Sequence, residues 1–407
     1  MKKMFGLMQD VIGRLLSCVV PRDGRLCVAG SWMGEMYGDN PRYFVEYLLG
    51  HSDLRIVWIG KEHVRAKLPS HPHLKFARLG SLRAVCAALR AKYWIVAQGP
   101  RDICAESLRG RAVLLNLWHG HAFKNGGKTR ADGTAAPCAR KLPLKTRMLN
   151  SLTRRGDDEL GWTSIASTEG GRHLAEALPQ LFSTDLMLPF GTPRNDYLIH
   201  NKGNDSLRRE LKARYARMLG FGEDKKIVLY LPTFRKPGVK GFSFYGLEGE
   251  QRERVASFAD AVNAVFVEKH HFLTLRANPP PADAAAGWNV VVDEGKSRDV
   301  LTQELLLIVD VLVTDYSSVF IDYCLLGWPC VHYVYDLDEY TVHDAGLAYD
   351  LEKVCGGPCV KTLDGLLESV GDALAAKRGA PRPGYAELVA FERGNACEQI
   401  ADWLMRN

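Results

Sequence analysis

The sequence lacks several features that would assign a protein to a special class. Its ten cysteines include no Cys-x-x-Cys pair, and it has no low-complexity segment or internal repeat. No apolar run approaches the ~20 residues that a membrane-spanning helix requires. The missing cysteine pairs argue against a zinc site, and free thiols within apolar runs are typical of a reducing cytoplasm.

A strong excess of one charge is also missing. The 407 residues carry 53 Lys and Arg against 47 Asp and Glu, a formal net charge of +6. This excess is too diffuse to demand nucleic acid as a partner, although it suits anionic ligands or a membrane surface. With 46% hydrophobic and 25% charged residues, the composition excludes disorder as the main state. The length allows two or three domains.

Strand-like runs alternate with helical patterns, which is typical of a parallel α/β sheet. Helices are predicted at Pro41–Leu49 and Ser81–Ala91. The first series of predicted strands is Arg25–Ala29, Leu54–Ile59, Tyr93–Ala97, Val113–Trp118 and Trp162–Ser167. After a polar stretch at Asn201–Ser206, a second series follows at Ile227–Leu231, Phe272–Arg276, Asn289–Val292, Val311–Thr314 and Cys330–Tyr333. The pattern predicts two doubly wound domains, whose ligands bind beyond the carboxyl ends of strands.

Two segments depart from this alternation. Residues 1–22 carry Lys2 and Lys3 after the first methionine and continue with helical periodicity. This pattern predicts an amphipathic helix that either packs on the next domain or lies on a membrane. Residues 140–155 carry six cations among Leu and Met and no acidic residue. That composition favours contact with an anionic membrane surface, and the alternative is a solvated surface helix.

A histidine follows the predicted strand Val113–Trp118, where α/β sheets place catalytic groups. The segment Trp118–His119–Gly120–His121 is followed by Lys124 and then by two glycines. Imidazole can accept a hydroxyl proton at neutral pH, so His119 is a candidate general base. A hydrogen-bonded structural histidine is the alternative.

Candidate phosphate ligands follow other predicted strands. Thr314, Ser317 and Ser318 flank an apparent helix start, where amide N–H groups and hydroxyls can bind phosphate, or where the hydroxyls only cap the helix. Arginines recur in turns that follow apolar runs. They could donate hydrogen bonds to phosphate oxygens, or they could be solvated residues of turns. These turns are Gly191–Asp196, Leu231–Arg235 and Leu275–Pro279.

Six motifs occur in a fixed order along the chain. They are Tyr37–Arg42, Trp118–Gly120 with Lys124, Gly191–Asp196, Leu231–Arg235, Thr314–Ser318 and Tyr335–Tyr340. This series resembles the CDP-glycerol:poly(glycerophosphate) glycerophosphotransferase family, whose members build teichoic acids and related capsular polymers. Because order and spacing both match, the resemblance is far more specific than any single motif.

The resemblance implies a fold and a set of site residues. The fold would be the glycosyltransferase B type, with two Rossmann-like domains facing across a cleft: an acceptor domain at 23–200 and a nucleotide-donor domain at 201–407. The family histidine taken as catalytic base falls on His119. Donor and phosphate contacts fall on Arg235, Arg276, Asn278, Thr314, Asp315, Ser317 and Ser318. Acceptor-side residues fall on Asp39, Asn40, His121, Lys124, Arg194 and Asp196.

Two positions depart from the family pattern. Where the family usually reads Leu-Arg-x-His-Pro, this chain has Asn278 in place of the histidine, and asparagine cannot carry a proton. Either the donor differs, His270 or His271 compensates, or activity is reduced. His121 replaces a common threonine and could alter the acceptor side.

The implied reaction moves a polyol phosphate, with glycerol 3-phosphate expected, from a CDP-alditol donor to a hydroxyl of a lipid-linked or polymer acceptor and releases CMP. No carboxylate cluster suggests a bound metal, so no obligatory cofactor is expected, although Mg²⁺ can accompany the nucleotide. The expected location is cytoplasmic and peripheral on the inner face of the cell membrane. Alternatives are a sugar-nucleotide glycosyltransferase and a non-catalytic paralogue. Glycerol versus ribitol and the oligomeric state stay open.

Overall fold

The protein divides into two compact units. The computed structural model describes residues 12–124, 160–235, 241–270, 274–275, 279–280, 287–293, 296, 299–343 and 346–407. The first unit comprises the described residues up to Gly120, those from 160 to Asp196, and Ala390–Asn407. The second comprises the described residues from His121 to 124 and Tyr197–Val389.

A five-stranded parallel sheet forms the centre of the first unit. Its strands are β1 (Asp23–Ala29), β2 (Arg55–Gly60), β3 (Leu74–Arg78), β4 (Ala91–Val96) and β5 (Val113–Asn116), in the order β3-β2-β1-β4-β5. Two short strands, β6 (Thr163–Ser164) and β7 (Met187–Leu188), pair separately. The helices are α1 (residues 12–19), α2 (Asp39–His51), α3 (Leu82–Arg90), α4 (Thr168–Ala177) and, beginning in this unit, α5 (Pro193–Asn201).

Alternating residues of these strands fill two cores, one on each face of the sheet. Cys27 and Tyr93 belong to one buried cluster, whereas Val28 and Trp94 belong to the other. Because both faces of the sheet are covered, strands such as β4 and β5 are buried over most of their length. The apolar runs of the sequence therefore indicated β1, β2, β4 and β5, whereas the edge strand β3, with exposed Lys75 and Arg78, was not predicted.

The C-terminal helix belongs to the first unit, although the sequence placed residues 201–407 in one C-terminal domain. This helix (Ala396–Arg406, here αC) buries Ile400 and Leu404 in the same cluster as Phe44 and Leu48 of α2. Burying a side chain of that size contributes about 1.5–3 kcal/mol, so returning to the first unit stabilises it substantially. The predicted domain 201–407 is therefore corrected, because its last residues, Ala390–Asn407, belong to the first unit.

The second unit contains a six-stranded parallel sheet in the order β10-β9-β8-β11-β12-β13. Its strands are β8 (Lys226–Leu231), β9 (Ala264–Glu268), β10 (Asn289–Val291), β11 (Val311–Thr314), β12 (Cys330–Tyr333) and β13 (Cys359–Val360). Its helices are α6 (Asp205–Leu219), α7 (Gly249–Ala261), α8 (Thr302–Leu306), α9 (Val319–Tyr323), α10 (Leu337–His343), α11 (Leu351–Val354), α12 (Leu363–Ala376) and α13 (Tyr385–Leu388). The predicted α/β class with two parallel sheets is confirmed.

One predicted strand is wrong, and its position affects the site. The second strand of this unit is Ala264–Glu268, not Phe272–Arg276, and the described residues Thr274 and Leu275 are helical. The segment Ala264–Glu268 is buried throughout and pairs with both β8 and β10. The strand-end position thus falls on Lys269. Trp162–Ser167 is also shorter than predicted, since only Thr163–Ser164 forms a strand.

Helix α1 exposes its apolar residues. Gly13 and Ser17 are buried, and a side chain added at Gly13 would come within 2.8 Å of Ser107 Oγ. Leu15 and Val19 are instead 64% and 75% exposed. The small residues of α1 therefore pack on the first unit while its large ones face solvent. None of the described helices combines the length and the apolar character that a membrane crossing requires.

Candidate active site

His119 lies in a loop just beyond the carboxyl end of β5 in the first unit. Asn40, at the start of α2, donates from Nδ2 to the carbonyl oxygens of Leu117 (3.1 Å) and Trp118 (3.0 Å). Its Oδ1 accepts from the Arg194 backbone N–H at 3.0 Å. Asn40 is almost fully buried, so its amide uses its hydrogen-bonding capacity to fix this loop rather than to contact an acceptor.

A buried ion pair supports the same loop. Arg194 Nη1 lies 3.0 Å from Asp39 Oδ1 and donates to the His119 carbonyl oxygen at 2.7 Å. Trp32 Nε1 donates to Asp39 Oδ2 at 3.0 Å. The two charged side chains are each 10% exposed. Asp39 and Arg194, predicted on the acceptor side, therefore form part of the scaffold behind His119.

The imidazole of His119 lies between two tryptophans. Its ring centroid is 4.0 Å from that of Trp118 and 4.9 Å from that of Trp32. Burial lowers the pKa of His119; Asp39 opposes this effect, Arg194 adds to it, and the Ala97 backbone opposes it. His119 is therefore neutral near pH 7, the state that can accept a proton. Its Nδ1 is buried and has no partner with good hydrogen-bond geometry among the described residues.

A buried carboxylate that belongs to none of the sequence motifs is also found in the first unit. Asp102 is fully buried and accepts backbone N–H bonds from Met33 (2.7 Å), Ala97 (2.8 Å) and Gln98 (2.7 Å). Met33 has a positive φ of 52°, as do Trp32 (51°), Asp39 (60°) and Trp118 (56°). Such backbone conformations are costly outside glycine and cluster at functional sites. Ala97 and Gln98 precede Asp102 in the same loop, but Met33 lies on a distant segment, which no local motif could reveal.

Asp196 has a structural role in the described contacts. Its carboxylate accepts from the backbone N–H groups of Ala396 (3.0 Å) and Cys397 (2.7 Å), at the start of αC. Glu392 plays a similar part, because it accepts from Thr192 Oγ1 at 2.7 Å and from Asn195 Nδ2 at 3.0 Å. The Gly191–Asp196 motif therefore attaches the C-terminal residues to the first unit.

In the second unit, two residues predicted to bind phosphate, Thr314 and Asp315, instead make hydrogen bonds within the protein. Thr314 Oγ1 is buried and donates to the Leu231 carbonyl oxygen at 2.6 Å, which ties β11 to β8. Asp315 Oδ1 accepts from the backbone N–H groups of Thr233 (2.8 Å) and Tyr316 (2.6 Å). His332 contacts the Asp315 carbonyl through Nδ1 at 3.0 Å, and burial lowers its pKa to about 4.

Arg235 follows the carboxyl end of β8 and has side-chain hydrogen-bond donors without a partner among the described residues. Its Nη2 lies 3.0 Å from Asp315 Oδ2 and 2.9 Å from Asp336 Oδ2. Its guanidinium also lies over the rings of Tyr316 and Tyr340, at 5.5 and 4.8 Å from their centroids. The Nε and Nη1 atoms are buried and have no partner within the described part of the chain. They could bind ligand oxygens.

Ser317 and Ser318 are partly buried and precede α9. The Val319 N–H approaches Ser317 Oγ at 3.5 Å, and the Ser318 side chain makes no capping hydrogen bond. With only five residues, α9 is too short to supply much of a helix dipole. Any phosphate contact here would come from the hydroxyls.

The remaining predicted site residues lie either in the second unit or outside the described residues. His121 belongs to the second unit, with Nε2 3.3 Å from Asp322 Oδ1, and Lys124 forms a backbone bridge to Leu347. Arg276, Asn278 and the basic segment 140–155 lie outside the described residues. Among the residues that the structure does describe, no group of three His, Cys, Asp or Glu side chains could hold a metal ion.

The strand-end position after β9 is basic. Lys269 follows Glu268 directly, and His270 Nε2 lies 3.1 Å from Glu268 Oε2. Glu268 also accepts backbone N–H bonds from Phe244 (3.0 Å) and Tyr245 (2.9 Å). His270, one of two histidines that could compensate for Asn278, is thus part of a structural cluster. His271 lies outside the described residues.

Comparison with known proteins agrees with this architecture. The "Teichoic acid glycerol-phosphate transferase" of Staphylococcus aureus (strain NCTC 8325 / PS 47) is 26% identical over 387 residues, 92% of each chain. The "Teichoic acid poly(glycerol phosphate) polymerase" of Bacillus spizizenii (strain ATCC 23059 / NRRL B-14472 / W23) is 26% identical over 421 residues, 99% of this chain and 96% of the relative.

The fold is that of a solved wall teichoic acid polymerase, TagF, with a TM-score of 0.71 at 21% identity, covering 99% of this chain and 95% of the other. A family model described as CDP-Glycerol:Poly(glycerophosphate) glycerophosphotransferase matches residues 15–406. The six motifs that suggested this family, from Tyr37 to Tyr340, all lie within this match. The chain belongs to the CDP-glycerol:poly(glycerophosphate) glycerophosphotransferase family.

Proposed function

We propose that this transferase moves glycerol 3-phosphate from CDP-glycerol to a hydroxyl of a membrane-linked acceptor in teichoic acid synthesis and releases CMP. The observation that carries the proposal is the family match over residues 15–406. Two relatives of nearly the same length support it, since both are named for glycerol phosphate transfer or polymerisation. A TagF variant was soaked with CDPG in its solved structure, which is consistent with this donor.

His119 would act as the general base. Its lowered pKa keeps the imidazole neutral at physiological pH, so it can take the proton of the acceptor hydroxyl. The oxygen then attacks the β-phosphorus of the donor, a new P–O bond forms, and the bond to CMP breaks. Asp39, Asn40 and Arg194 act as positioning residues, because their described hydrogen bonds hold the backbone that carries His119.

The second unit would hold the nucleotide and its pyrophosphate. Arg235, through Nε and Nη1, and the hydroxyls of Ser317 and Ser318 would donate hydrogen bonds to the leaving phosphate. These bonds would stabilise the negative charge that develops there. Thr314 and Asp315 shape this region through bonds to β8 and to Thr233. The first unit would bind the acceptor. His121 and Lys124, which the resemblance assigns to the acceptor side, belong to the second unit and directly follow the catalytic loop in sequence. Mg²⁺, where it takes part, would arrive with the nucleotide.

The donor can be identified by measuring CMP release from CDP-glycerol and CDP-ribitol with a lipid-linked acceptor. Ribitol belongs in the panel because the "Teichoic acid ribitol-phosphate polymerase TarL" of Staphylococcus aureus is 31% identical over 260 residues, 63% of this chain and 41% of that protein. We expect CMP from CDP-glycerol with wild type and with His63→Ala, whose side chain is 40% exposed, and little with His119→Ala. No release from any CDP-alditol, or release from CDP-ribitol alone, would contradict the proposal.

We further propose that the protein docks peripherally on the inner face of the cell membrane through α1. Ile12, Leu15, Leu16 and Val19 are 48%, 64%, 40% and 75% exposed. Large apolar residues on the outer face of a helix that packs through small ones favour the boundary between lipid headgroups and acyl chains. The six cations of residues 140–155, a stretch without acidic residues, suit an anionic surface.

Sedimentation with anionic vesicles tests this location. Leu15→Gln/Val19→Gln should release the protein from vesicles, because it removes two exposed apolar side chains without touching the packed face of α1. Leu82→Gln is the matched control, since Leu82 is 78% exposed in the same unit but outside α1. Equal sedimentation of wild type and the α1 double variant would rule out α1 as the anchor.

A further inference from the structure

Lys269 occupies the carboxyl end of β9, between β8 and β10 in the sheet. Its backbone N–H donates to the Tyr230 carbonyl oxygen at 3.0 Å, so the pairing with β8 continues one residue beyond the strand. Its ammonium nitrogen lies 3.3 Å from Thr302 Oγ1, at the first residue of α8. The side chain is thus held beside the carboxyl ends of the parallel strands, where α/β domains bind ligands.

This ammonium lacks a counter-ion in the described part of the chain. Thr302 is the partner of its Nζ there, and a hydroxyl carries no charge. Burial lowers the pKa of Lys269 to about 8. A desolvated cation without a carboxylate is unfavourable, and an anionic ligand would relieve that cost. The residue as a whole is partly buried, so part of it stays exposed to solvent.

The charged groups nearest in the fold are engaged elsewhere. Glu268 is bonded to Phe244, Tyr245, Asn289 and His270. Side chains of consecutive strand residues point to opposite faces, which separates this cluster from Lys269.

On the neighbouring elements, Glu304 of α8 pairs with Arg214 and accepts from Tyr215. Burial raises the pKa of Tyr230 in β8 well above its usual value, so this phenol stays neutral. Arg235, beyond β8, is paired with Asp315 and Asp336. Burial alone accounts for the shifted pKa of Lys269.

We propose that Lys269 binds the pyrophosphate of the nucleotide donor as an additional cation of the site. The inference rests on the proposed function for the identity of the donor. The anion would lie at the carboxyl ends of adjacent strands, since Arg235 follows β8 and Lys269 follows β9. Because an anion favours the charged amine, donor binding above about pH 8 takes up a proton.

The experiment is calorimetric titration of the full chain with CDP at pH 7.5 and 9.5. Wild type should bind about tenfold more weakly at pH 9.5, because most of the free amine is then neutral. Lys269→Met should bind about tenfold or more weakly than wild type at pH 7.5 and show no such pH effect. Lys269→Arg should keep the affinity and lose the pH effect, since guanidinium stays charged.

Lys353→Met is the matched control, because this lysine is 78% exposed in the same unit. Wild-type affinity and pH dependence in Lys269→Met would overturn the inference, as would a wild type that does not bind CDP. Should Lys269→Met fail to fold, proton uptake by wild type at pH 8.5, compared between buffers of different ionisation enthalpy, replaces it. Zero uptake, or the same uptake by Lys269→Arg, would overturn the inference. CDP binding that depends on Lys269, without CMP release from any CDP-alditol, would refute the proposed reaction alone.

Discussion

Replacing Asp39 with asparagine tests the scaffold behind His119. Asp39 Oδ1 accepts from Arg194 Nη1 and from the Asn40 N–H, and its Oδ2 accepts from Trp32 Nε1. An asparagine Oδ1 can keep the first two bonds, but its Nδ2 cannot accept from Trp32. The main consequence of Asp39→Asn is therefore an uncompensated Arg194 charge in a site that is 10% exposed.

The expected cost is large for a single conservative change. Removing one partner of a buried ion pair costs about 3–5 kcal/mol, because the other charge stays desolvated. For a folding unit of about 150–250 residues, about 1 kcal/mol shifts the melting temperature by about 2–4 °C, so Asp39→Asn should lower that of the first unit by about 6–20 °C. Adding Arg194→Met should recover part of this loss, since the orphan charge is then removed.

Thermal unfolding and a pH–rate profile give independent measurements of Asp39→Asn. Asp39 raises the pKa of His119, so its loss should move the acidic limb of kcat/KM to lower pH. Asp402→Asn is the control, because its ion pair with Arg406 is exposed and contributes about 0.3–0.5 kcal/mol. A melting temperature within 2 °C of wild type, by the ~2–4 °C per kcal/mol scale, would refute the assignment of Asp39 to the scaffold.

Three further substitutions separate catalysis, binding and stability. His119→Ala should lower turnover by about 10²–10⁴ with an unchanged melting curve, and wild-type kcat/KM should fall only below pH 6.5, where the lowered pKa of His119 lies. Thr314→Val should cost about 1–3 kcal/mol of unfolding free energy, measured in urea, because the buried Leu231 carbonyl loses its donor, while the donor KM stays within about twofold. Ser318→Ala should weaken CDP binding in calorimetry by about 1–3 kcal/mol and leave stability intact; unchanged affinity would remove this hydroxyl from the site.

Several strands of the two sheets were predictable because they are buried on both faces. Runs such as Val311–Thr314 and Cys330–Tyr333 are buried along their length and match the observed strands residue for residue. The loop with His119 was predictable for a similar local reason, since it follows β5 within three residues. Both signals are local in sequence.

The misplaced strand shows where local signals fail. Ala264–Glu268 and Phe272–Arg276 are both short apolar runs, and periodicity alone cannot choose between them. The choice depends on pairing with β8 and β10, where Phe266 lies opposite Val228 and Asn289. That error moved the strand-end cation from Lys269 to Arg276. The significance of Asn278 has a separate origin, because it rests on the family pattern alone.

Hydrogen-bond satisfaction separates scaffold residues from candidate ligand contacts, and no motif records it. Thr314 and Asn40 lie in the family motifs, yet their side chains bond backbone groups inside their own units. A satisfied buried group gains little from a ligand, because it would have to break an existing bond first. Arg235 and Lys269, in contrast, combine desolvated charge with unused donors or no counter-ion among the described residues. A bound pyrophosphate would stabilise these two side chains most, so the second unit should be more stable with CDP bound than without it.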